Sequence, residues 1–237
     1  MILEAGYAGV AAAAGFMAYA VRGRGACVLA PSVWRGPRTK KRIALTFDDG
    51  PSESTGELLD LLDTAGARCT FFQIGRHVER LGEITAEAVR RGHEIGNHTY
   101  SHSPLYLRPR QFIEDEIALC QDAIERAAGS RPLLFRAPYG CRWFGLREAQ
   151  RRHGLMGVMW TAIGQDWRED ASSVHRRMKS AARPGAILCL HDGRELTPKP
   201  DIRDTIEAVR RLLPELRGQG YDLVTVSDLL CPTSAAS

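Results

Sequence analysis

Residues 43–51 read Ile-Ala-Leu-Thr-Phe-Asp-Asp-Gly-Pro. An apolar run enters two adjacent carboxylates, Asp48 and Asp49, and a Gly-Pro breaker then stops it. In an α/β fold, a buried strand that ends this way delivers its acids to the mouth of the sheet or barrel, where ligands bind. Neighbouring strand residues point to opposite sides, so the two carboxylates need not share one task. Asp-Asp-Gly alone is also a common turn. The rest of the chain decides between the two readings.

Apolar segments suited to strands recur at 69–74, 94–96, 133–135, 156–161, 186–190 and 221–226. Helical patterns lie between them, at 84–91, 111–128, 146–153, 172–182 and 202–213. Ser54 and Glu57 have capping-box spacing ahead of Leu58, Leu59, Leu61 and Leu62, and Gly66 closes that helix. Strands that alternate with helices predict an α/β fold built on a parallel sheet. Periodicity leaves open whether that sheet is open or closed into a barrel. The domain is expected to span 42–231, with a short tail at 232–237.

Ahead of it, an uncharged run from Ala5 to Val21 is 17 residues long, at the lower limit for a membrane span. Eight of those residues are Ala and three are Gly, which weakens insertion relative to a Leu-rich helix. We expect residues 1–25 to form an Ala-rich helix that serves as a candidate membrane anchor. Basic residues follow the run rather than precede it, which argues against a secretory signal; by the positive-inside rule the charge pattern favours the cytoplasmic side, with the orientation left open. The Pro/Gly/basic stretch 26–41 reads as a linker.

Hydrophobic content of 44% and charged content of 25% are ordinary for a globular protein, and 237 residues suit one large domain. The net charge of +4 is mild, and no basic stripe is interleaved with aromatics, so no nucleic-acid partner is expected. The six cysteines are scattered, with no C-x-x-C pair, and read as small buried apolar residues in a reducing compartment.

The polar residues at the ends of the apolar segments carry the chemistry. His98 and His102 stand four apart; on a helix that spacing puts both imidazoles on one face, within reach of one ion. Two His and one carboxylate leave coordination positions open, as hydrolytic metal sites require. Arg136-Ala137-Pro138-Tyr139-Gly140 follows another strand, where a fixed guanidinium can keep a carboxylate ionised and oriented. Asp166-Trp167 and His191-Asp192 each follow an apolar strand as well. Catalytic groups gathered from several strand ends are the pattern of an α/β barrel active site.

These motifs, in this order, resemble the polysaccharide deacetylases with a NodB-type domain, carbohydrate esterase family four. The likeness rests on Thr46-Phe47-Asp48-Asp49-Gly50, His98-Thr99-Tyr100-Ser101-His102, Arg136-Ala137-Pro138-Tyr139, Asp166-Trp167 and His191, and spans about residues 42–230. It implies a distorted (β/α) barrel of about seven parallel strands and one divalent metal ion, usually zinc. It assigns Asp49, His98 and His102 as metal ligands and Asp48 as general base. His191 becomes the general acid, Arg136 orients Asp48, and Asp166 tunes His191. The Tyr139 backbone N–H is implied as an oxyanion donor and Trp167 as a wall of the acetyl pocket.

The chain departs from the family pattern twice. Ile163 stands where many relatives carry a further Asp, and Cys189 stands where they usually carry Leu. A smaller Cys189 is expected to leave a roomier acyl site. The implied function is hydrolysis of N-acetyl groups on amino sugars, with an N-acetylated glycan as substrate. Hydrolysis of another linear amide, such as an N-formyl group, and a catalytically silent glycan-binding role are the alternatives.

Overall fold

The computed structural model describes residues 2–231, with side chains from residue 9 onward. The tail at 232–237 lies outside the described residues. In chain order the elements are α1 (Ile2–Arg22), β1 (Ser32–Val33), β2 (Arg42–Gly50), α2 (Thr55–Thr64), β3 (Thr70–Gln73), α3 (Gly75–Arg80), α4 (Gly82–Arg90) and β4 (Glu94–Asn97). They continue through α5 (Arg110–Ala128), β5 (Leu134–Phe135), α6 (Leu146–Arg152), β6 (Met156–Val158), β7 (Ala162–Ile163) and α7 (Ala171–Ala181). The last are β8 (Ile187–His191), α8 (Arg203–Gly218), β9 (Asp222–Leu223) and α9 (Val226–Leu230).

β2 is the centre of the sheet, buried from Ile43 to Gly50. The strand order is β1-β6-β5-β4-β3-β2-β8-β7, with β9 beside the start of β2. The strand pairings are parallel, as crossover helices require. Curled with its helices outside, this sheet makes the distorted (β/α) barrel expected from the motifs.

Alternation along β2 sorts its residues into two layers. Leu45 and Phe47 face outward and pack with Leu58, Leu59 and Leu62 of α2, Met178 of α7 and Leu212, Leu213 and Leu216 of α8. Ala44 faces inward with Phe72, Leu134, Val158, Ile187 and Val224, an apolar plug at the bottom of the barrel. Pro214 inside α8 costs about 3 kcal/mol as a helix breaker. Val209, Leu212, Leu213 and Leu216 are almost fully buried on the same helix. At about 1.5–3 kcal/mol each, their burial outweighs that penalty.

Two expectations need correction. Residues 26–41 are not a bare linker: β1 pairs with β6, Arg35 bridges Ala186 just before β8, and Ala30 is fully buried. The stretch thereby helps close the barrel between its two ends. The capping box at Ser54 does not form, for Ser54 is itself helical and makes no side-chain cap bond. The Ser52 N–H instead donates to Thr55 Oγ1 at 2.9 Å, and that hydroxyl donates to Asp192 Oδ2 at 2.7 Å, tying the start of α2 to the loop after β8.

The N-terminal run forms α1, as expected, but among the described residues no helix is long and apolar enough to cross a membrane. Its C-terminal end docks on the domain. The Arg142 N–H donates to the Val21 carbonyl at 3.0 Å, and its buried guanidinium donates to the carbonyls of Gly23 and, at 2.9 Å, Ala26, and to Ser32 Oγ at 2.7 Å. One buried Arg therefore satisfies carbonyls that a helix end leaves open.

Candidate active site

At the C-terminal mouth of the strands lies a cavity of about 530 Å³. Asp48, Asp49, His98, His102, Tyr139, Trp167 and His191 line it, so most of the residues singled out in the sequence converge on one space. Strict alternation would send Asp49 away from Asp48. The ladder with β3 slips between Asp48 and Gly50, and Asp49 takes a left-handed φ of 71°. This bulge turns Asp49 back to the cavity, as bulges beside active sites do. The turn packs tightly on the loop after β8. A Cβ on Gly50 would come within 2.2 Å of Asp192 Oδ2, and one on Gly193 within 2.1 Å of the Asp49 carbonyl oxygen.

His98 and His102 do not share a helix face, contrary to the spacing argument. His98 directly follows β4, and the loop through His102 bends at Thr99 (φ 65°) and at His102 itself (φ 56°). The bends bring His98 Nε2 to 3.4 Å and His102 Nε2 to 3.1 Å from Asp49 Oδ1. Burial alone would raise the Asp49 pKa, but hydrogen bonds and charge from His102 and His98 hold it well below the usual carboxylate range.

These groups fit a divalent ion. One ligand atom from each of Asp49, His98 and His102 lies within 4.8 Å of the other two, and all three residues are buried. The Arg136 carbonyl accepts from His98 Nδ1 at 2.7 Å, which fixes the tautomer and leaves Nε2 as a lone-pair donor. His102 Nδ1 is buried without a partner, so this ring is positioned from its Nε2 side.

The fully buried Arg136 donates from Nη1 to Asp48 Oδ1 at 2.6 Å and to Thr46 Oγ1 at 2.8 Å. Its plane lies over Phe72, with the guanidinium carbon 4.0 Å from the ring centroid. Nε and Nη2 donate to the carbonyls of Val158 and Met159 at 3.2 and 3.3 Å. A charge so deep needs both its carboxylate and these bonds.

Asp166 Oδ1 accepts from His191 Nδ1 at 2.8 Å, while Asp166 Oδ2 accepts from the His191 N–H at 2.8 Å and from Thr205 Oγ1 at 2.7 Å. Burial pulls the His191 pKa down, but the Asp166 carboxylate, helped by Asp49 and Asp48, lifts it to about 9. The indole of Trp167, half exposed rather than in the core, meets the His191 ring edge-on at 5.0 Å. Tyr139 sits at φ 57° on the rim, its ring 4.9 Å from that of His102, and its hydroxyl donates to Glu195 Oε1 at 2.9 Å.

Cys189 is placed otherwise than expected. It is fully buried and absent from the cavity wall, with Sγ 3.3 Å from Asp48 Oδ2 and 3.6 Å from Arg136 Nη1. The register explains this: Thr46 pairs with Cys189 and Asp48 with His191, so Cys189 lies one layer below the cavity floor. Its small size therefore does not enlarge the wall of an acyl site.

A match to the polysaccharide deacetylase family model covers residues 35–158, just over half of the chain. The chain belongs to the polysaccharide deacetylase family. Among its relatives is a peptidoglycan-N-acetylglucosamine deacetylase of Bacillus cereus, 36% identical over 83% of this chain and 92% of that protein. A chitooligosaccharide deacetylase of a Bradyrhizobium strain is 33% identical over 77% of this chain and 88% of its own. The crystal structure of a peptidoglycan N-acetylglucosamine deacetylase bound to 4-naphthalen-1-yl-N-oxidanyl-benzamide has a TM-score of 0.78 at 30% identity, covering 86% of this chain and 94% of that one. Members of this deacetylase family depend on a metal, and the Asp49, His98 and His102 cluster is where this chain can hold one.

Sequence reasoning missed cavity residues that no motif announces. Glu195 donates its backbone N–H to Asp49 Oδ2 at 3.0 Å and accepts from Tyr139. Arg22 reaches the cavity from the end of α1. Glu195 gave no signal because its left-handed φ of 45° is not marked by Gly or Asn. Arg22 gave none because the docking of α1 is a tertiary contact.

Proposed function

We propose that this deacetylase removes N-acetyl groups from amino sugars of a glycan, N-acetylglucosamine being the simplest fit. The observation that carries the reading is that two buried ion pairs, Asp48–Arg136 and Asp166–His191, bring Asp48 and His191 into the same cavity as the Asp49, His98 and His102 cluster. When bound there, a divalent ion supplies Lewis acidity toward the amide carbonyl and the attacking water. Two imidazoles and a carboxylate suit zinc.

In this mechanism, Asp48 accepts a proton from the attacking water. Arg136 holds Asp48 through Oδ1 and so fixes the direction of its free oxygen. The Tyr139 backbone N–H, presented by its left-handed turn, donates to the oxyanion that develops on the carbonyl oxygen. His191 then protonates the departing nitrogen; with its pKa lifted to about 9 it is cationic at neutral pH and able to do so. Trp167, Trp160 and Ile163 line the cavity and supply an apolar wall for the acyl methyl group. Because Ile163 replaces an ionisable residue of many relatives, this wall is less polar than theirs.

The presence of every matched acid, base and ligand speaks against a silent glycan-binding role, since a retired enzyme is free to lose them. An N-formyl substrate would use the same groups with a smaller acyl pocket. We also assign α1 to a membrane surface, a reading supported by exposed Val10, Phe16 and Tyr19. Vesicle flotation with and without residues 1–21 tests that assignment.

The test of function is incubation of the metal-loaded protein with a panel of N-acetylated and N-formylated glycans, with Asp49→Ala and His102→Ala as controls. Acetate release that both controls abolish is the expected result. Formate release instead would redirect the substrate. A protein that binds no divalent ion and releases neither acid is the silent one.

A further inference from the structure

Besides Asp49, His98 and His102, a second set of ligand atoms converges just beneath the cavity floor, where Cys189 meets Asp48 and His191 of the wall. Asp48, Cys189 and His191 are all buried, and one donor atom of each lies within 4.8 Å of the other two. A tetrahedral zinc site with bonds of about 2.0–2.3 Å needs ligand atoms about 3.3–3.8 Å apart, and the larger cadmium ion takes slightly wider spacing. The 3.3 Å between Cys189 Sγ and Asp48 Oδ2 already meets that spacing. Arg136 engages Asp48 through Oδ1, which leaves Oδ2 on the cysteine side. His191 is bonded to Asp166 through Nδ1, so Nε2 is its available ligand atom. A carboxylate behind the imidazole is also the usual support for a metal-bound His.

We propose that Asp48, Cys189 and His191 form a second, inhibitory site for a thiophilic divalent cation such as cadmium or excess zinc. The inhibitory part rests on the proposed roles of Asp48 and His191; the binding part does not. Burial and the Asp48 carboxylate keep the thiol protonated while no ion is present. The incoming ion takes the place of that proton, which leaves to solvent, and sulfur becomes a thiolate ligand. The Arg136 guanidinium opposes the added charge. The thiolate, Asp48 and Asp166 offset it, and sulfur favours soft ions over the hard ones that carboxylate and water prefer. Occupancy removes the general base and the general acid together, so inhibition should be complete rather than partial.

The full chain, first loaded with one equivalent of zinc, is titrated with cadmium while bound metal and the cadmium–thiolate ultraviolet band are followed. Cys27 and Cys231 are exposed and could bind cadmium on their own, so the Cys27→Ser/Cys231→Ser double variant is titrated beside it. The expected result is one added cadmium per chain with a single-thiolate band, in both proteins. Cys189→Leu and Cys189→Ala, each made in that double variant, should lose the band and weaken cadmium binding by at least about tenfold. Two variants of different volume guard against a fault of folding in either.

A band that survives both Cys189 variants, or that vanishes in the double variant, overturns the proposal. So does a wild-type chain that takes up no second ion. If acetate release is measurable, its loss should follow the same occupancy curve; a band without inhibition refutes the inhibitory part. If no glycan is hydrolysed at all, the band still decides the site, and only the functional reading falls.

Discussion

The backbone carbonyl of Arg136 accepts the Nδ1–H of His98 at 2.7 Å, while the side chain of Arg136 holds Asp48 at 2.6 Å. One residue therefore sets the tautomer of a candidate metal ligand with one end and aims the candidate base with the other. The metal half and the proton half of the site share a single backbone position, at the end of β5.

The division of labour between the two adjacent acids is the sharpest consequence. Asp48→Asn should keep one ion per chain and lower kcat by on the order of 10²–10⁴, the usual contribution of a general base. Asp49→Asn should lose the ion first. Elemental analysis beside steady-state kinetics separates the two, and identical behaviour of the variants would refute the assignment.

Arg136 is also a structural charge. Replacing Asp48 by Asn leaves the guanidinium, with no exposed side-chain surface, without its carboxylate. Breaking such a buried pair costs about 3–5 kcal/mol, so Asp48→Asn should melt well below the wild type even where activity is not at issue. Arg136→Lys should not rescue, because an ammonium cannot make the bonds to Asp48, Thr46, Val158 and Met159 at once. Urea unfolding of both variants checks this.

His191 sets the alkaline limb of activity. With its pKa lifted to about 9 by Asp166 in spite of burial, kcat should hold through neutral pH and fall near pH 9. In Asp166→Asn the limb should move down toward about 6.5, the ordinary His value. The sign for stability follows from the same shift. A folded pKa above the unfolded one stabilises fully below about pH 6.5 and is lost as pH rises through about 9. A limb that stays in place in Asp166→Asn would mean that another group titrates.

Gly50→Ala tests the seam between the acidic turn and the loop after β8. Its Cβ would fall 2.2 Å from the carboxylate of Asp192, a side chain buried and bonded to Thr55. Asp192 is held by Thr55, and the Gly193 that follows it packs on the Asp49 carbonyl, so displacement is expected to reach Asp49. The variant should lose about 1–3 kcal/mol of stability as an overpacked site and bind its ion more weakly. Unchanged metal affinity would show that Asp192 moves freely.

How much of this was legible in the sequence depends on which physics placed each residue. Asp48, Arg136 and His191 follow apolar runs, and a buried strand ending at a barrel mouth is a local pattern that a reader can see. The convergence of His98 and His102 was foreseen for the wrong reason: left-handed residues in a loop, not a helix face, bring them together; Thr99 does not advertise that conformation and His102, of a type enriched there, does so only weakly. The same holds for Asp49, which reaches the cavity only through a bulge. Cys189 could be placed on a strand but not in a layer, because depth is set by register against β2. β1 and β7 have only two residues each, too short for any periodicity to show.

The clamp between Arg142 and the end of α1 bears on where this protein can be cut. A chain trimmed to begin at residue 35, where the family match starts, would retain every group assigned to acid, base or ligand. It would also take Arg22 out of the cavity wall and strip the Arg142 guanidinium of its acceptors at Gly23, Ala26 and Ser32. Each buried donor left orphaned costs about 1–3 kcal/mol. A boundary drawn from homology would thus breach the vessel it was meant to isolate, and the helix that looks like a tether is masonry at its inner end.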